Sequence, residues 1–339
     1  MAECPEIDPD SPLQFVINAA AGSGEADTER DAIETALKIT GRRGDLLFTR
    51  GGDLARVAKK ASKQALDTRT AVVAVGGDGT INTVAQAAHA AGCAMGVVPR
   101  GTFNYFARTH GIPDDTAEAA RRLMDWTPLP VQVAAVNDRV FLVNASLGMY
   151  PDLLEDREAY KSRFGRSRWV AFWAGTTTLL RAQRKLRLQI EQGASTRQVR
   201  ALTLFVGNNR LQLEQLGLLP EPPTGGSASG VAKGSITAVM LRPIGTLEMI
   251  GLMMRGAMGT LGEAQSVEHF EFERMVVTPA RMPGLRGVKV AFDGEITRMR
   301  APLQFRVLSE PLYLLKPHPD GTASDPATDA SSIPEGSDR

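Results

Sequence analysis

Residues 75–82 read Val75-Gly76-Gly77-Asp78-Gly79-Thr80-Ile81-Asn82, a glycine-rich turn between two segments of different character. The segment before it, Ala71 to Val75, is a near-continuous apolar run, which is typical of a strand covered on both faces of a parallel sheet. The segment after it keeps a helical pattern as far as Ala91, where Gly92 supplies the C-terminal glycine of a helix. A strand, a glycine-rich turn and a helix in this order predict an α/β fold that binds a ligand at the sheet edge.

The composition of this turn favours a phosphate ligand. Glycines let the backbone pass close to a bulky anion, and the positive end of the following helix attracts negative charge. Asp78 is an acid in a place suited to anions, so we expect it to act through Mg²⁺ or as a proton acceptor. The same spacing also fits a tight turn in which Asp78 only caps the helix. No Gly-Lys-Ser/Thr follows, so the turn is not a Walker A loop.

A second turn follows the next predicted strand. Residues 97–104 read Val97-Val98-Pro99-Arg100-Gly101-Thr102-Phe103-Asn104, again passing from strand to helix through a glycine, with Thr102 as a natural N-cap. In a doubly wound sheet, the turns after neighbouring strands meet at the carboxyl edge. Two such turns favour a nucleotide site over two unrelated helix caps.

The chain outside these turns divides into two regions. Residues 12–127 alternate apolar runs with helical patterns, which predicts a doubly wound α/β domain with right-handed crossovers. Residues 128–308 contain many short strand patterns and few helical ones, which predicts a mainly antiparallel β domain. The predicted helices are Thr28 to Thr40, Asp53 to Ala65, Thr80 to Ala91 and Thr102 to His110, and the predicted strands of the second region include Val131 to Val136 and Arg139 to Ser146. Residues 318–339 have almost no large apolar residues, so we expect a disordered tail.

Charge and cysteine content limit the partners and the compartment. The formal net charge of the 339 residues is +1, so no global field draws the chain to nucleic acid. The two cysteines do not form a disulfide framework, and the N-terminus lacks the pattern of a signal peptide. No apolar run approaches the roughly 20 residues of a membrane-spanning helix. We therefore predict a cytoplasmic protein that would have to visit a membrane to reach a lipid.

The two turns together carry a family resemblance. Gly-Gly-Asp-Gly-Thr at 76–80, followed by Pro-x-Gly-Thr-x-Asn-x-Phe-Ala-Arg at 99–108, resembles the diacylglycerol kinase catalytic-domain family, which includes bacterial soluble lipid kinases, sphingosine kinases and ceramide kinases. Further matches follow in order along the chain, at Asn18 to Gly24, Val143 to Gly148, Val206 to Arg210 and Phe292 to Glu295. The resemblance implies a nucleotide-binding α/β domain of the 6-phosphofructokinase and NAD kinase type, followed by an antiparallel β-sandwich. It also implies that a last segment, about 309–317, returns to the first domain.

The resemblance assigns roles to named residues. It implies an ATP- and Mg²⁺-dependent lipid kinase in which Asp78 organises the metal and Glu295 takes the proton of the lipid hydroxyl, although either carboxylate is a candidate proton acceptor. Asp293-Gly294 is also a strong hairpin signal, and such a turn can present Glu295 to the site. The implied nucleotide-binding residues are Asn18, Thr49, Gly76, Gly77, Asp78, Gly79, Thr80, Ile81, Asn82, Gly101, Thr102 and Asn104.

Two departures from the family pattern affect these expectations. Asn18-Ala19 stands where the family has Asn-Pro, which is expected to loosen the first turn without abolishing binding. Lys233 stands where some bacterial members have an acidic ligand for a structural Mg²⁺, so we do not expect that second metal site.

Two further segments suggest contact with lipid. Residues 163–188 mix aromatic residues with arginines, which suits a helix lying on an anionic bilayer, and residues 246–261 are rich in methionine, which suits an adaptable acyl-chain surface. Both segments also fit ordinary core helices, the first with arginines extended to solvent. A homodimer is the default expectation for the oligomeric state.

Two other functions fit parts of the pattern. A kinase for a soluble substrate, of the NAD kinase type, shares the first glycine motif, but those enzymes typically add an Asn-Glu pair that is absent from this sequence. A catalytically inactive nucleotide-binding regulator is the second alternative, against which the presence of both Asp78 and Glu295 argues. Within lipid kinases the sequence leaves the substrate open among diacylglycerol, monoacylglycerol, phosphatidylglycerol, sphingoid bases and ceramide.

Overall fold

The computed structural model describes residues 4–19, 23–101, 103–148, 186–208, 213, 234–243, 245, 266–280 and 287–318. Several predictions fall outside these ranges: the nucleotide contact of Thr102, the metal-site substitution at Lys233, the methionine-rich segment 246–261 and the tail beyond 318. Most of the arginine-rich segment 163–188 also lies outside them. Its last three residues, Leu186 to Leu188, begin a strand, so the helix predicted for that segment does not extend to 188.

The first region forms an α/β layer built on a mainly parallel sheet. Its strands are β1 (Leu13–Asn18), β2 (Gly44–Thr49), β3 (Ala71–Gly76), β4 (Ala94–Pro99) and β5 (Thr127–Val131), and its helices are α1 (Ser23–Thr40), α2 (Leu54–Asp67), α3 (Asp78–Ala91), α4 (Tyr105–Thr109) and α5 (Thr116–Leu123). Every residue of β3 and β4 is buried. This is what their unbroken apolar sequence predicts for a sheet covered on both faces.

Local backbone geometry shifts several predicted boundaries in this layer. The helix predicted from Thr28 begins at Ser23. The helix predicted from Thr102 begins only at Tyr105, because Asn104 has a φ of 47° and so cannot continue a right-handed helix. The predicted strand Val131 to Val136 is divided: Val131 ends β5 in the first sheet, and a separate strand starts at Ala134. The first layer therefore extends past the predicted boundary at residue 127.

The second region forms two antiparallel sheets of six strands each. The strands are β6 (Ala134–Val136), β7 (Arg139–Phe141), β8 (Asn144–Gly148), β9 (Leu186–Gln192), β10 (Ser195–Ala201), β11 (Thr203–Gly207), β12 (Ile236–Leu241), β13 (Val267–Phe272), β14 (Arg274–Pro279), β15 (Val288–Phe292), β16 (Glu295–Met299) and β17 (Leu303–Val307). The sheet orders are β10-β9-β14-β17-β6-β7 and β13-β12-β11-β8-β15-β16. Residues of both sheets share one hydrophobic core, which confirms the predicted β-sandwich.

The last strand of the described chain connects the two regions. Strand β18 (Leu312–Lys316) pairs in parallel with β4 and antiparallel with β5, which completes the first sheet in the order β2-β1-β3-β4-β18-β5. The chain thus enters the sandwich after β5 and re-enters the first sheet after β17. Among the described residues, no helix is long and apolar enough to span a bilayer.

Candidate active site

The glycine-rich turn joins β3 to α3 and is held from two sides. A Cβ atom on Gly76 would lie 2.7 Å from the Oγ1 of Thr80, so only glycine fits at that position. The same Oγ1 accepts a hydrogen bond of 3.0 Å from the side-chain amide of Asn18, at the end of β1. The first N–H groups of an α-helix have no partner within the helix, so the start of α3 presents donors at this edge of the sheet.

The second turn lies directly against the first. The backbone N–H of Arg100 donates to the carbonyl of Gly76 at 2.9 Å, and a Cβ atom on Gly101 would lie 3.3 Å from the Cα of Gly77. The side-chain oxygen of Asn104 accepts from the N–H of Gly101 at 2.7 Å, which fixes the shape of this turn. The structure therefore brings the two glycine-rich turns together at the carboxyl edge of β3 and β4.

A largely buried ion pair supports the second turn, and sequence reasoning missed it. The guanidinium of Arg100 pairs with the carboxylate of Glu29 in α1, and it also donates to the backbone carbonyl of Asn18 at 3.4 Å. Arg100 thus links three segments of the edge: α1, the end of β1 and the turn after β4. Its place inside the Pro-Arg-Gly-Thr motif was the only local signal of this role.

Asp78 is the first residue of α3 and faces the start of α4. The backbone N–H groups of Asn104 and Tyr105 act to lower its pKa, while its Oδ1 is buried and has no hydrogen-bond partner among the described residues. Burial, followed by the nearby negative charge of Asp293, raises the pKa of Asp78 to about 6. A buried carboxylate oxygen without a donor suits a hard cation such as Mg²⁺, which proteins hold through one or two carboxylates together with substrate phosphates.

Asp293 is a buried carboxylate that receives four N–H donors. Its Oδ1 accepts from the backbone of Val143 and Asn144 at 2.9 Å each, and its Oδ2 accepts from the backbone of Leu142 at 2.7 Å and from the side-chain amide of Asn82 at 2.6 Å. Burial raises the pKa of Asp293, while these hydrogen bonds oppose that shift. Because Leu142 and Val143 donate to this side chain, the predicted strand Arg139 to Ser146 is divided into β7 and β8.

Glu295 follows Asp293 at the start of β16 and points at the glycine-rich turn. Asp293 and Gly294 have φ values of 44° and 86°, the positive angles of a type I′ hairpin turn between β15 and β16. A Cβ atom on Gly79 would lie 2.9 Å from the Oε1 of Glu295. Burial raises the pKa of Glu295, and the charge of Arg139 opposes that shift. The hairpin of the sandwich therefore places a carboxylate against the first turn of α3.

The remaining predicted site residues differ in whether their polar groups already have hydrogen-bond partners. Thr49 ends β2 in register with Asn18, and its buried Oγ1 has no partner among the described residues. The N–H of Ile81 donates to Gly77 and its side chain is fully buried in the core, while the amide of Asn82 donates to Asp293 and to the carbonyl of Val140. Ile81 and Asn82 therefore shape and anchor the turn through these bonds, and their contact with the nucleotide stays a prediction.

These features define a class of protein. Two glycine-rich turns suited to phosphate lie at the carboxyl edge of a parallel sheet, and a carboxylate from a separate β-sandwich faces them. This arrangement is one that a kinase-type phosphotransferase would need, because a phosphate cradle and a carboxylate beside it can serve phosphoryl transfer.

Comparison with known proteins shows what the chain is similar to. Residues 12–136 match the family model of the diacylglycerol kinase catalytic domain. The chain is 32% identical over 167 residues to a probable lipid kinase, YegS-like, of Cronobacter sakazakii, covering 47% of this chain and 53% of that protein. It is 32% identical over 152 residues to a diacylglycerol kinase of Bacillus subtilis, covering 42% of this chain and 46% of that protein. The aligned stretches thus span about half the length of each relative.

A solved structure extends the comparison to the whole fold. A crystal structure of a diacylglycerol kinase from Bacillus anthracis str. Sterne superposes with a TM-score of 0.62 and covers 91% of this chain and 97% of that chain, at 18% sequence identity. The family resemblance and the two-part fold expected from the sequence are therefore both confirmed.

Proposed function

We propose that this chain is a lipid kinase that uses ATP and Mg²⁺ to phosphorylate the hydroxyl of diacylglycerol or a related lipid at a membrane surface. The observation that carries the proposal is the contact between Glu295 and Gly79. It puts a carboxylate that can accept a proton beside a turn that can hold phosphates. The family relationship of residues 12–136 supports the same reaction class.

The proposed reaction needs few chemical groups from the protein. Glu295 accepts the proton of the lipid hydroxyl, the hydroxyl oxygen forms a bond to the γ-phosphorus, and the bond from that phosphorus to the bridging oxygen breaks to release ADP. The N–H groups of the two turns hold the phosphates in line with the hydroxyl. Most of the acceleration comes from this positioning and from charge neutralisation, because a loose phosphoryl-transfer transition state needs little covalent help.

Asp78 is the residue that would hold the metal. Its buried Oδ1 has no hydrogen-bond partner among the described residues, so this oxygen is available as a ligand. When bound, Mg²⁺ would neutralise the charge that develops on the phosphate oxygens. The backbone N–H groups of Asn104 and Tyr105, at the end of the second glycine-rich turn, favour the ionised form of this carboxylate.

The proposal is tested by following phosphate transfer from labelled ATP to a panel of lipid alcohols in mixed micelles. We expect the wild type to form a labelled phospholipid, and Glu295→Gln and Asp78→Asn to lose at least a hundredfold in kcat, within the range of a general base and of charge neutralisation. Matched controls are Glu273→Gln and Asp125→Asn, which change exposed carboxylates elsewhere and should retain wild-type rates.

The outcomes separate the candidate functions. Label in a lipid product that is lost in both site variants but kept in both controls supports the proposal and names the lipid class. If the label appears only in a water-soluble acceptor, the substrate is a soluble molecule and not a lipid. ATP binding without transfer to any acceptor would assign the fold to a regulatory role.

A further inference from the structure

A groove of about 830 Å³ is lined by residues of α2 and α3 and reaches the candidate active site at one end. Its volume is within the range of small-molecule and lipid pockets. Its apolar lining residues, which we call the apolar floor, are Ala55, Leu66, Ala87, Ala90 and Ala91, and Thr83 and Gln86 add polar groups beside them. Leu66 keeps 46% of its surface exposed, so it adds accessible apolar area to this lining.

One rim of the groove is a stripe of basic residues on α2. Arg56, Lys59, Lys60 and Lys63 recur at the spacing of one helix face, all four are exposed, and all four line the groove. Arg56 pairs with Asp53 at 3.0 Å. Lys59, Lys60 and Lys63, which we call the lysine stripe, form no ion pair with any other residue that the structure describes. Because the net charge of the whole chain is only +1, the positive potential here is local.

The other end of the groove reaches the candidate active site. Glu295 and Arg139 line it, together with Asn82 and Phe292. The groove is therefore a continuous path from the lysine stripe, across an apolar floor, to the carboxylate that faces Gly79.

The cationic and apolar residues that line the groove favour one kind of binding partner. A free phosphate or a nucleic acid would use the cations but not the apolar floor, whereas a bilayer of anionic phospholipids presents phosphates to the cations and acyl chains to the floor. We infer that the lysine stripe docks the protein on an anionic phospholipid bilayer and that the groove leads the acceptor lipid from this surface to Glu295. The docking is independent of the reaction, while the route to Glu295 rests on the proposed function.

The inference is tested by co-sedimentation of the full chain with vesicles of phosphatidylcholine alone, or of phosphatidylcholine mixed with phosphatidylglycerol or phosphatidylserine. We expect binding to both anionic mixtures, weak binding to neutral vesicles, and a decrease with added salt. The triple variant Lys59→Gln/Lys60→Gln/Lys63→Gln should partition about a hundredfold less, because each lysine near an anionic surface contributes roughly fivefold. Glutamine is a good helix former, and Lys→Arg at the same three positions should retain binding.

The matched control removes the same charge from other surfaces. Arg121, Arg200 and Arg274 are exposed and do not line the groove, and Arg→Gln at all three should leave vesicle binding within about twofold of wild type. Equal loss in both triple variants, unchanged binding of the lysine variant, or equal binding of the wild type to neutral vesicles would each overturn the inference. Inorganic phosphate should not displace the protein from anionic vesicles at concentrations that leave ionic strength unchanged, and full displacement would identify an anion site instead of a bilayer surface.

Kinetic measurements in micelles and in vesicles test this inference separately from the proposed function. With an acceptor lipid in neutral micelles the lysine variant should keep the wild-type kcat, and in anionic vesicles its apparent KM should rise at least tenfold. If no lipid is phosphorylated by any form but the lysine stripe still controls vesicle binding, the docking surface stands and the proposed reaction fails. If lipid is phosphorylated and the lysine variant is indistinguishable from wild type in vesicles, the reaction stands and the docking surface fails.

Discussion

The carboxylate of Asp293 accepts a hydrogen bond of 2.6 Å from the side-chain amide of Asn82, a residue 211 positions earlier in the chain. Asn82 belongs to α3, the helix that follows the glycine-rich turn, and Asp293 belongs to the hairpin turn that presents Glu295. This hydrogen bond joins the α/β layer to the sandwich at the place where the phosphate cradle meets the proposed base. Accurate placement of Glu295 therefore depends on Asp293.

Replacing Asp293 with Asn should destabilise the protein by about 3 kcal/mol, because two of its four N–H donors would face an amide NH₂ group and lose their acceptor. Urea unfolding of the variant and of the exposed control Asp125→Asn measures the difference, and the control should stay within about 0.5 kcal/mol of wild type. The kcat of the folded variant should also fall, while the KM for ATP changes little. A loss below about 1 kcal/mol would show that the four hydrogen bonds are not jointly required.

Much of the fold and part of the site could be predicted from short-range sequence signals. The apolar runs of β3 and β4 fix a covered parallel sheet, and the Asp293-Gly294 pair fixes a hairpin, because these patterns act through neighbouring residues. The convergence of the two glycine-rich turns follows from the rule that neighbouring parallel strands end at one edge.

The contacts that span long stretches of sequence could not be predicted in this way. The strand pattern from Arg139 to Ser146 looks continuous, yet it is interrupted at Leu142 and Val143 because their N–H groups donate to Asp293, about 150 residues later. The pairing of Glu29 with Arg100 has the same character. The lysine stripe on α2 is visible as a helical pattern, but only the fold shows that its groove leads to Glu295.

In the absence of Mg²⁺ and nucleotide, the ionised carboxylate of Asp78 should destabilise the folded protein at neutral pH. Its pKa in the folded protein is about 6, above the ordinary value of 3.8, so the folded state holds the proton more tightly than the unfolded state. The resulting penalty is absent below pH 3.8, grows as the pH rises towards about 6, and is complete above it. In EDTA, Asp78→Asn should therefore be more stable than wild type by about 1 kcal/mol at pH 8, discounted for partial exposure, and equal to it near pH 3.5. A variant less stable than wild type at pH 8 would contradict the assignment of a destabilising carboxylate.

Removing the charge of Arg139 should shift the pH dependence of catalysis. Glu295 must be ionised to accept a proton, its pKa is raised by burial, and Arg139 opposes that rise. Arg139→Gln should therefore raise this pKa further and move the acidic limb of the kcat profile to higher pH by about half a unit. The profile is measured in neutral micelles against Arg274→Gln, which changes an exposed arginine of the sandwich and should leave the limb in place. If the acidic limb of the kcat profile does not move in Arg139→Gln, that limb reports the ionisation of a group other than Glu295.

Adding one methyl group at Gly79 should lower the catalytic rate without lowering the stability of the fold. The new Cβ would lie 2.9 Å from the Oε1 of Glu295, closer than real Cβ contacts allow, so the carboxylate must swing away from the turn. Alanine is preferred over glycine within a helix by about 1 kcal/mol, and the displaced atoms are the far end of a flexible side chain, so the fold should not be weakened. We expect Gly79→Ala to lower kcat at least tenfold, with the unfolding midpoint nearly unchanged. Gly52→Ala is the matched control, because a Cβ there meets nothing within 4 Å. A Gly79→Ala enzyme with wild-type kcat would mean that the position of Glu295 against this turn does not limit the reaction, and the base would then have to be sought elsewhere.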